Sequence, residues 1–437
     1  MSADTFVASF MWISPFAAVL LLWGSLRLRR RQRLLADLPT SKAAGVFIGL
    51  VEMKGAAECE APCSSFLAGV ACVHYAFSVE EQWSRTVTET YSDKEGKTQT
   101  RTRRESGWAT VAKGGETVDF YVQDDTGSVL VRPSGAKFEP RSLCHKIVSQ
   151  GAALYYAKGP ATAVADSDHR RRFVEHGIPL HSPVFVVGQA RERADVVAPE
   201  IAAREDSEIF LISTRSEEKI QSGYSAWSWV CLLIGLGVAL GGLRLFEHRQ
   251  LVAPAPGPYV AVGAGYLAAF AVGWVWMVYN SLVALRQRTR QGWSLIEVQL
   301  KRRHNLIPGL AAMCAGLSAH ESGVQTLVAT LRAQQEATPP GVAGPDYTGV
   351  APELRAVIER YPALMARDGF SSLHRGLVET EQRVALARAY YNDIATSFAT
   401  RLERVPDRWV AALGGMRPMA LLGGENFERA PVPVKFA

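Results

Sequence analysis

Three apolar runs, Phe6–Leu26, Ala226–Phe246 and Pro258–Val278, constrain this 437-residue chain more than any other feature. At 1.5 Å per helical residue, each is long enough to cross the roughly 30 Å hydrocarbon core of a bilayer. Arg27, Arg29, Arg30, Arg31 and Arg33 follow the first run at once. A cleaved leader carries its positive charge before the apolar stretch and a small-residue cleavage pattern after it. Here the charge is on the other side, so the run reads as a retained anchor. Trp227 and Trp229 open the second run, and Trp274, Trp276 and Tyr279 close the third. Amphipathic rings favour such headgroup-level positions. The short connection EHRQLVAPAPG suits a hairpin of two spans. Arg286, Arg288, Arg290, Lys301, Arg302 and Arg303 lie beyond the third run. Since basic residues stay on the cytoplasmic side, this asymmetry predicts that residues 27–225 and 279–437 are cytoplasmic and the N-terminus is outside.

The net charge of +6 admits nucleic acid or an anionic surface as partner. The arginines cluster beside the apolar runs, which favours anionic lipid and argues against nucleic acid. Arg27, Arg29, Arg30, Arg31, Arg33, Arg286, Arg288 and Arg290 are therefore expected to form a lipid-facing basic collar. The six cysteines, Cys59, Cys63, Cys72, Cys144, Cys231 and Cys314, form no regular disulfide framework. Cys231 and Cys314 sit in apolar or helical patterns, where cysteine is usually a small core residue.

Residues 1–26 read as the first transmembrane helix, 27–41 as a basic linker and 42–223 as a β-rich domain. GVFIGLVEMKG, ACVHYAFSVEEQW, VDFYVQDDTGSVLVRP and SPVFVVGQARER are rich in β-branched and aromatic residues and are punctuated by Gly, Asp and Ser. From Trp83 to Arg104 the sequence is a polar ribbon with a turn near DKEGK and alternating threonines, so both strands are expected to be solvated. Spans at 226–246 and 258–278 follow. Residues 279–413 carry apolar positions at helical spacing. They divide into a long helix to about Ala337 that Pro308 should kink or split, then Pro352–Ala366, Phe370–Arg404 and a short Pro406–Leu413. Residues 414–437 form a Gly- and Pro-rich tail.

From Tyr279 to Phe436 the chain reads YNSLVALRQRTRQGWSLIEVQLKRRHNLIPGL, AHES, YPALMARDGFSSLHRGLVETEQRVALARAYYN and FERAPVPVKF. This succession resembles the LemA family, a helical, membrane-anchored bacterial family. The resemblance implies a long-helix bundle at the bacterial inner membrane. Within it, Gln299, Arg302, Arg303, Glu379, Glu381, Arg388 and Asn392 are expected to make polar contacts between helices or subunits, because no nucleophile accompanies them. Phe427, Pro433 and Phe436 are expected to dock the tail onto a neighbouring copy. Residues 42–220, through GVACVHYAFSVE, Trp108 and DDTGSVLVRP, resemble the GIDE domain of mitochondrial ubiquitin ligases. That domain lies between two spans and is followed by a RING finger, which needs about eight Cys and His ligands. After Gly223 this chain has only Cys231 and Cys314, so the RING is missing. The fold class expected is an α+β membrane protein with a GIDE-like domain between transmembrane helices, followed by a LemA bundle.

No catalytic, metal or cofactor site is expected. Cys59, Cys63, Cys72 and His74 have the wrong spacing for a zinc knuckle. Cys144 and His145 are adjacent, so their side chains should point apart on a strand. His320–Glu321 lacks the second histidine of a zinc helix, because Val324 stands there. Gly96–Lys97–Thr98 lacks the first P-loop glycine, replaced by Tyr91, and Gly223–Tyr224–Ser225 lacks the last glycine of a nucleophile elbow. The function expected is a non-enzymatic scaffold that self-assembles on the membrane. The alternatives are an adaptor that binds a protein partner through the GIDE-like domain, and an accessory to a ubiquitin-like ligase system.

Overall fold

The computed structural model describes residues 3–92, 98–193, 198–204, 209–250, 253–315 and 368–422. It has two compact units, Thr40–Glu217 and the combination of Met1–Pro39 with Glu218–Ala437.

The first unit is built from strands β1 (Gly49–Glu58), β2 (Cys63–Ser64), β3 (Ala71–Ser92), β4 (Thr98–Thr117), β5 (Phe120–Gln123), β6 (Ser128–Arg132), β7 (Lys137–Glu139), β8 (Arg141–Ser149), β9 (Ser167–Pro179), β10 (Pro183–Glu192), β11 (Pro199–Ala202) and β12 (Leu211–Ser213). β1 pairs with β5 and β10, β5 with β6, β6 in parallel with β11, and β11 with β10. These pairings close five strands into a small barrel, and β12 and β7 extend it from β10. Alternate residues fill the interior: Val51 and Met53, Phe120 and Val122, Val129 and Val131, Val184 and Val186. This is the period of two expected of strands with one buried face.

In the second sheet β3 lies between β4 and β9, and β8 flanks β9. β9 leaves β3 at Trp83–Ser167, while β4 follows β3 to Ser92–Thr98. Past Trp83 the ribbon is therefore two-stranded for about 30 Å at ~3.3 Å per residue. Its threonines face one another across the strands, Thr88 to Thr102 and Thr90 to Thr100. The expected DKEGK turn lies outside the described residues.

A buried ion pair fixes the loop after β8 to this sheet. Glu81 and Arg171 are fully buried and 3.0 Å apart. Tyr155, on the short helix α2 (Ala153–Ala157), and Ser167 donate hydroxyl hydrogen bonds to Glu81. The Arg171 guanidinium also donates to the carbonyls of Tyr155, Pro160 and Thr162. Burial raises the pKa of Glu81, but these donors outweigh it and hold the carboxylate below its ordinary range.

The second unit contains α1 (Ala3–Ala36), α3 (Glu217–Arg249), α4 (Pro256–Ala315), α5 (Asp368–Glu403) and α6 (Asp407–Leu413). Among the described residues, α3 and residues Pro256–Arg303 of α4 are long and apolar enough to cross a membrane. The first expected span, Phe6–Leu26, falls in α1, where several N-terminal side chains lie outside the described residues. The helices approach closely through small residues. A Cβ on Gly242 of α3 would lie 1.9 Å from Ser14 Oγ of α1, and one on Gly235 would lie 2.2 Å from the Tyr266 hydroxyl of α4.

α4 runs without interruption for 60 residues, about 90 Å. The expected split at Pro308 does not occur, and Pro308 lies inside the helix. The expected continuation to Ala337 and the helix Pro352–Ala366 lie outside the described residues. α5 packs along α4 through Leu285, Ile394 and Phe398, with Trp293 edge-on to Tyr391 at 5.4 Å. Val410 and Ala411 of α6 close over Met277, Val278 and Leu282.

Candidate functional site

Arg29, Arg33 and Asp37 recur every four residues at the end of α1, so they lie on one side of the chain. Thr396, Ser397, Thr400 and Arg401 have the same relation on α5, and Arg404 follows just past its end. Asp407 occupies the first turn of α6, where an acidic side chain complements the helix N-terminus. The fold joins these three segments. Arg33 grips Asp407 with two parallel hydrogen bonds of 2.9 and 3.1 Å. Arg401 donates from Nε to Asp407 Oδ2 at 2.5 Å and from Nη1 to Asp37 Oδ1 at 2.5 Å. Ser281 of α4 donates to the other Asp37 oxygen at 3.0 Å.

Both aspartates are buried. Burial pushes the Asp407 carboxyl up, but Arg33 and Arg401 outweigh it and hold the group below its ordinary range. Burial likewise opposes the Arg401 charge, and Asp37 and Asp407 more than restore it. Beside this network is a cavity of about 490 Å³, lined also by Arg29, Ser225, Thr400 and Arg404. It lies next to the apolar runs: Ser25 Oγ donates to the Ser228 carbonyl at 2.8 Å, and Arg29 stacks on Trp229 at 4.4 Å.

The structure distributes the expected collar unevenly. Arg27 lies over Trp23, and Arg30 and Arg290 are exposed. Arg31, Arg286 and Arg288 are half-buried. Arg33 faces inward to Asp407 and Trp274, because a bidentate carboxylate partner outweighs solvation at that depth. Asp37, Ser281, Arg401 and Asp407 are not legible as site residues in the sequence. They are up to 370 residues apart in sequence (407 − 37), and local spacing carries no signal of that pairing.

The expected helix–helix contacts are partly brought together. Arg303, 2% exposed, faces Glu381 at 3.5 Å, whereas the neighbouring Arg302 is exposed. Gln299 is buried beside them in sequence, one helical turn away from Arg303. Glu379 instead pairs along its own helix with Arg383 at 2.7 Å. Asn392 binds both backbone groups of Leu422, and the Tyr391 hydroxyl donates to the Ala420 carbonyl. The start of the tail therefore docks on its own α5. Phe427, Pro433 and Phe436 lie outside the described residues.

Among the described residues, no group of three or more His, Cys, Asp or Glu is placed to hold a metal. Cys63 and Cys72 face each other across β2 and β3 with sulfurs 3.6 Å apart, and burial raises the Cys72 thiol pKa to about 12. Strict alternation fails next to it, because Cys72 and Val73 are both buried where the register with β9 shifts. His74 stacks on Phe138 at 3.8 Å, hydrogen-bonds Thr117 at 2.7 Å, and is lowered to about 4 by burial. Cys144 and His145 are successive residues of β8, and Gly223–Ser225 lies inside α3, so neither forms a nucleophile arrangement.

Residues 292–436 match the LemA family, and residues 88–246 match the GIDE family, described as E3 Ubiquitin ligase. The chain joins a GIDE region to a LemA region. The LemA match begins at Gly292, partway along α4, so one helix carries both a candidate span and the start of the LemA region. The GIDE match ends at Phe246 inside α3. Two relatives from Paramagnetospirillum magneticum (strain ATCC 700264 / AMB-1), magnetosome protein MamQ 2 and magnetosome protein MamQ 1, are each 23% identical over 173 residues. The alignments cover 32% of this chain and 63% of each relative, so the chain spans less than two thirds of the relatives' length. No solved structure matches the chain.

Proposed function

We propose that this protein is a non-enzymatic scaffold of the bacterial inner membrane that self-assembles and organises or shapes the bilayer. The observation that carries the reading is α4, one unbroken helix from an apolar span into the LemA region packed by α5. Such a helix ties the LemA region directly to the apolar span, with no loop between them among the described residues. The basic flanks of α1 and α4 support a reading in which their ends meet an anionic leaflet, the cytoplasmic one if the positive-inside rule holds. The similarity to two magnetosome proteins supports a membrane-associated role. The ligase description belongs to the GIDE family model, which matches residues 88–246, and is not carried over to this chain.

Particle mass and shape after extraction in mild detergent test the scaffold. Discrete particles of many copies are expected, and charge reversal at exposed Arg302 should shrink them. A monomer or dimer would overturn self-assembly. The two-stranded ribbon past Trp83, whose backbone edges have no further strand among the described residues, favours a second reading. A protein partner would add a strand there, giving a small stoichiometric complex in pull-downs with the full chain.

A further inference from the structure

We propose that the cavity between α1, α5 and α6 is a headgroup site for an anionic phospholipid, recognised through its phosphate. The proposal rests on the membrane-embedded reading above and adds to it a defined site and ligand class.

The charge balance makes the cavity an anion site. Four arginines line it, Arg29, Arg33, Arg401 and Arg404, against two aspartates, Asp37 and Asp407. The aspartates are taken by Arg33 and Arg401. Arg29 and Arg404 are left as surplus cations on the same wall. Nε and Nη2 of Arg29 are buried and have no hydrogen-bond acceptor among the described residues. A guanidinium held in that state still seeks an acceptor, and its planar fork matches a phosphate oxygen pair. The Trp229 and Phe270 rings beneath Arg29 fix its plane, so little side-chain entropy remains to be lost on binding. Thr400 and Ser225 add hydroxyl donors to the lining.

The depth of the cavity selects a lipid over a soluble phosphate. Ser25 and Ser228 are bonded directly, which levels the end of the α1 apolar run with the start of the α3 run. Arg29 is one turn past that bond on α1, and Ser225 lies just before the α3 run. The cavity therefore lies at headgroup height, where a phosphate arrives attached to acyl chains that can lie along the apolar helices. About 490 Å³ accommodates a glycerophosphate headgroup, within the usual range of ligand sites.

The test uses the full chain in mild detergent, titrated with short-chain phosphatidylglycerol, short-chain phosphatidylcholine and inorganic phosphate. Native mass spectrometry counts the bound adducts and gives the apparent affinity for each ligand. Phosphatidylglycerol should bind at least tenfold tighter than phosphatidylcholine. The double variant Arg29→Gln, Arg404→Gln should lose that preference about tenfold, whereas Arg27→Gln and Arg30→Gln should keep it. Arg404 is exposed, so Arg404→Gln alone, expected to lose several-fold, probes the site without disturbing packing. Equal losses in the Arg27→Gln and Arg30→Gln controls would overturn the site in favour of a diffuse collar. Saturation by inorganic phosphate at lower concentration than phosphatidylglycerol would overturn the lipid assignment. Particle mass read on the same samples separates the two proposals. A small particle that keeps the lipid preference overturns self-assembly alone, and a large one without the preference overturns this site alone.

Discussion

Two buried charge clusters, one in each unit, have similar parts and opposite accounts. In the β unit, Glu81 and Arg171 are both fully buried, and the groups around them close the account: the carboxylate takes Tyr155, Ser167 and Arg171, and the guanidinium takes three carbonyls as well. In the helical unit, Asp37 and Asp407 are matched by Arg33 and Arg401, but the cavity beside them leaves Arg29 and Arg404 over. A closed cluster in low dielectric is a fastener, because every desolvated group has its partner. An open one keeps binding capacity. The same chemistry thus serves structure in one place and recognition in the other, and the surplus arginines make the difference.

The sharpest way to break the comparison is to open the closed cluster. Arg171→Leu strands Glu81 as a buried, uncompensated carboxylate, and should destabilise the β unit by about 3–5 kcal/mol. Chemical denaturation followed by a probe in that unit measures it. Tyr155→Phe removes one donor and should cost about 1–2 kcal/mol, so a loss as large as that of Arg171→Leu would contradict the view of a shared network.

In the open cluster, Asp407→Asn should cost about 2 kcal/mol, because the charge and one of the two oxygens that accept from Arg33 and Arg401 are lost, while Asp37 remains for Arg401. The pH dependence follows from the depressed folded pKa of Asp407. The stabilisation is fully present above the ordinary carboxylate value of 3.8, and is lost as pH falls through the lower folded value. Asp407→Asn should flatten that acid limb of the stability curve, and an unchanged limb would place the sensitive carboxylate elsewhere.

What the residues revealed in advance follows the range of the interactions. The strands of the barrel were legible because burial there repeats every two residues, as at Val51 and Met53 or Val184 and Val186. The ribbon was legible because its threonines alternate, and its departure at Trp83 coincides with the end of pairing to β9. α5 was legible from its apolar spacing through Leu377, Val384, Ile394 and Phe398. At Pro308 the expected split is absent, and the helix continues through the proline to Ala315. The charge cluster was illegible. Asp37 and Asp407 belong to segments that meet only when α1, α5 and α6 pack together, so Arg33 read as one more collar arginine. The same holds on a smaller scale for Arg302 and Arg303, adjacent in sequence, of which only Arg303 lies on the face of α4 toward α5.

A weaker test is His74, which has no charged partner among the described residues. Its ring stacks on Phe138, and burial lowers its pKa from 6.5 to about 4. The folded state therefore holds the neutral ring and binds fewer protons than the unfolded chain between those values. Stability of the β unit should be intact above about pH 6.5 and should fall as pH drops toward 4. Because the ring is only partly buried, solvent screening reduces the effect to the order of 1 kcal/mol. His74→Phe keeps the stack and should remove this slope while leaving the deeper acid limb of Asp407 in place. Loss of both limbs together would mean that the two transitions report one event.

The smallest effect expected is on the ribbon. Arg85 and Glu105 are directly opposite on β3 and β4, 3.0 Å apart and solvated. Glu105→Gln should cost below about 0.5 kcal/mol, the usual worth of an exposed pair, and added salt should erase even that. The contrast with Arg171→Leu is the point of the measurement. Both pairs bridge neighbouring strands of one sheet at the same 3.0 Å, and they differ in exposure and in the number of donors around the carboxylate. If the two variants cost the same, distance would be the deciding variable. A difference of several kcal/mol assigns it to burial and to the completeness of the surrounding hydrogen bonds.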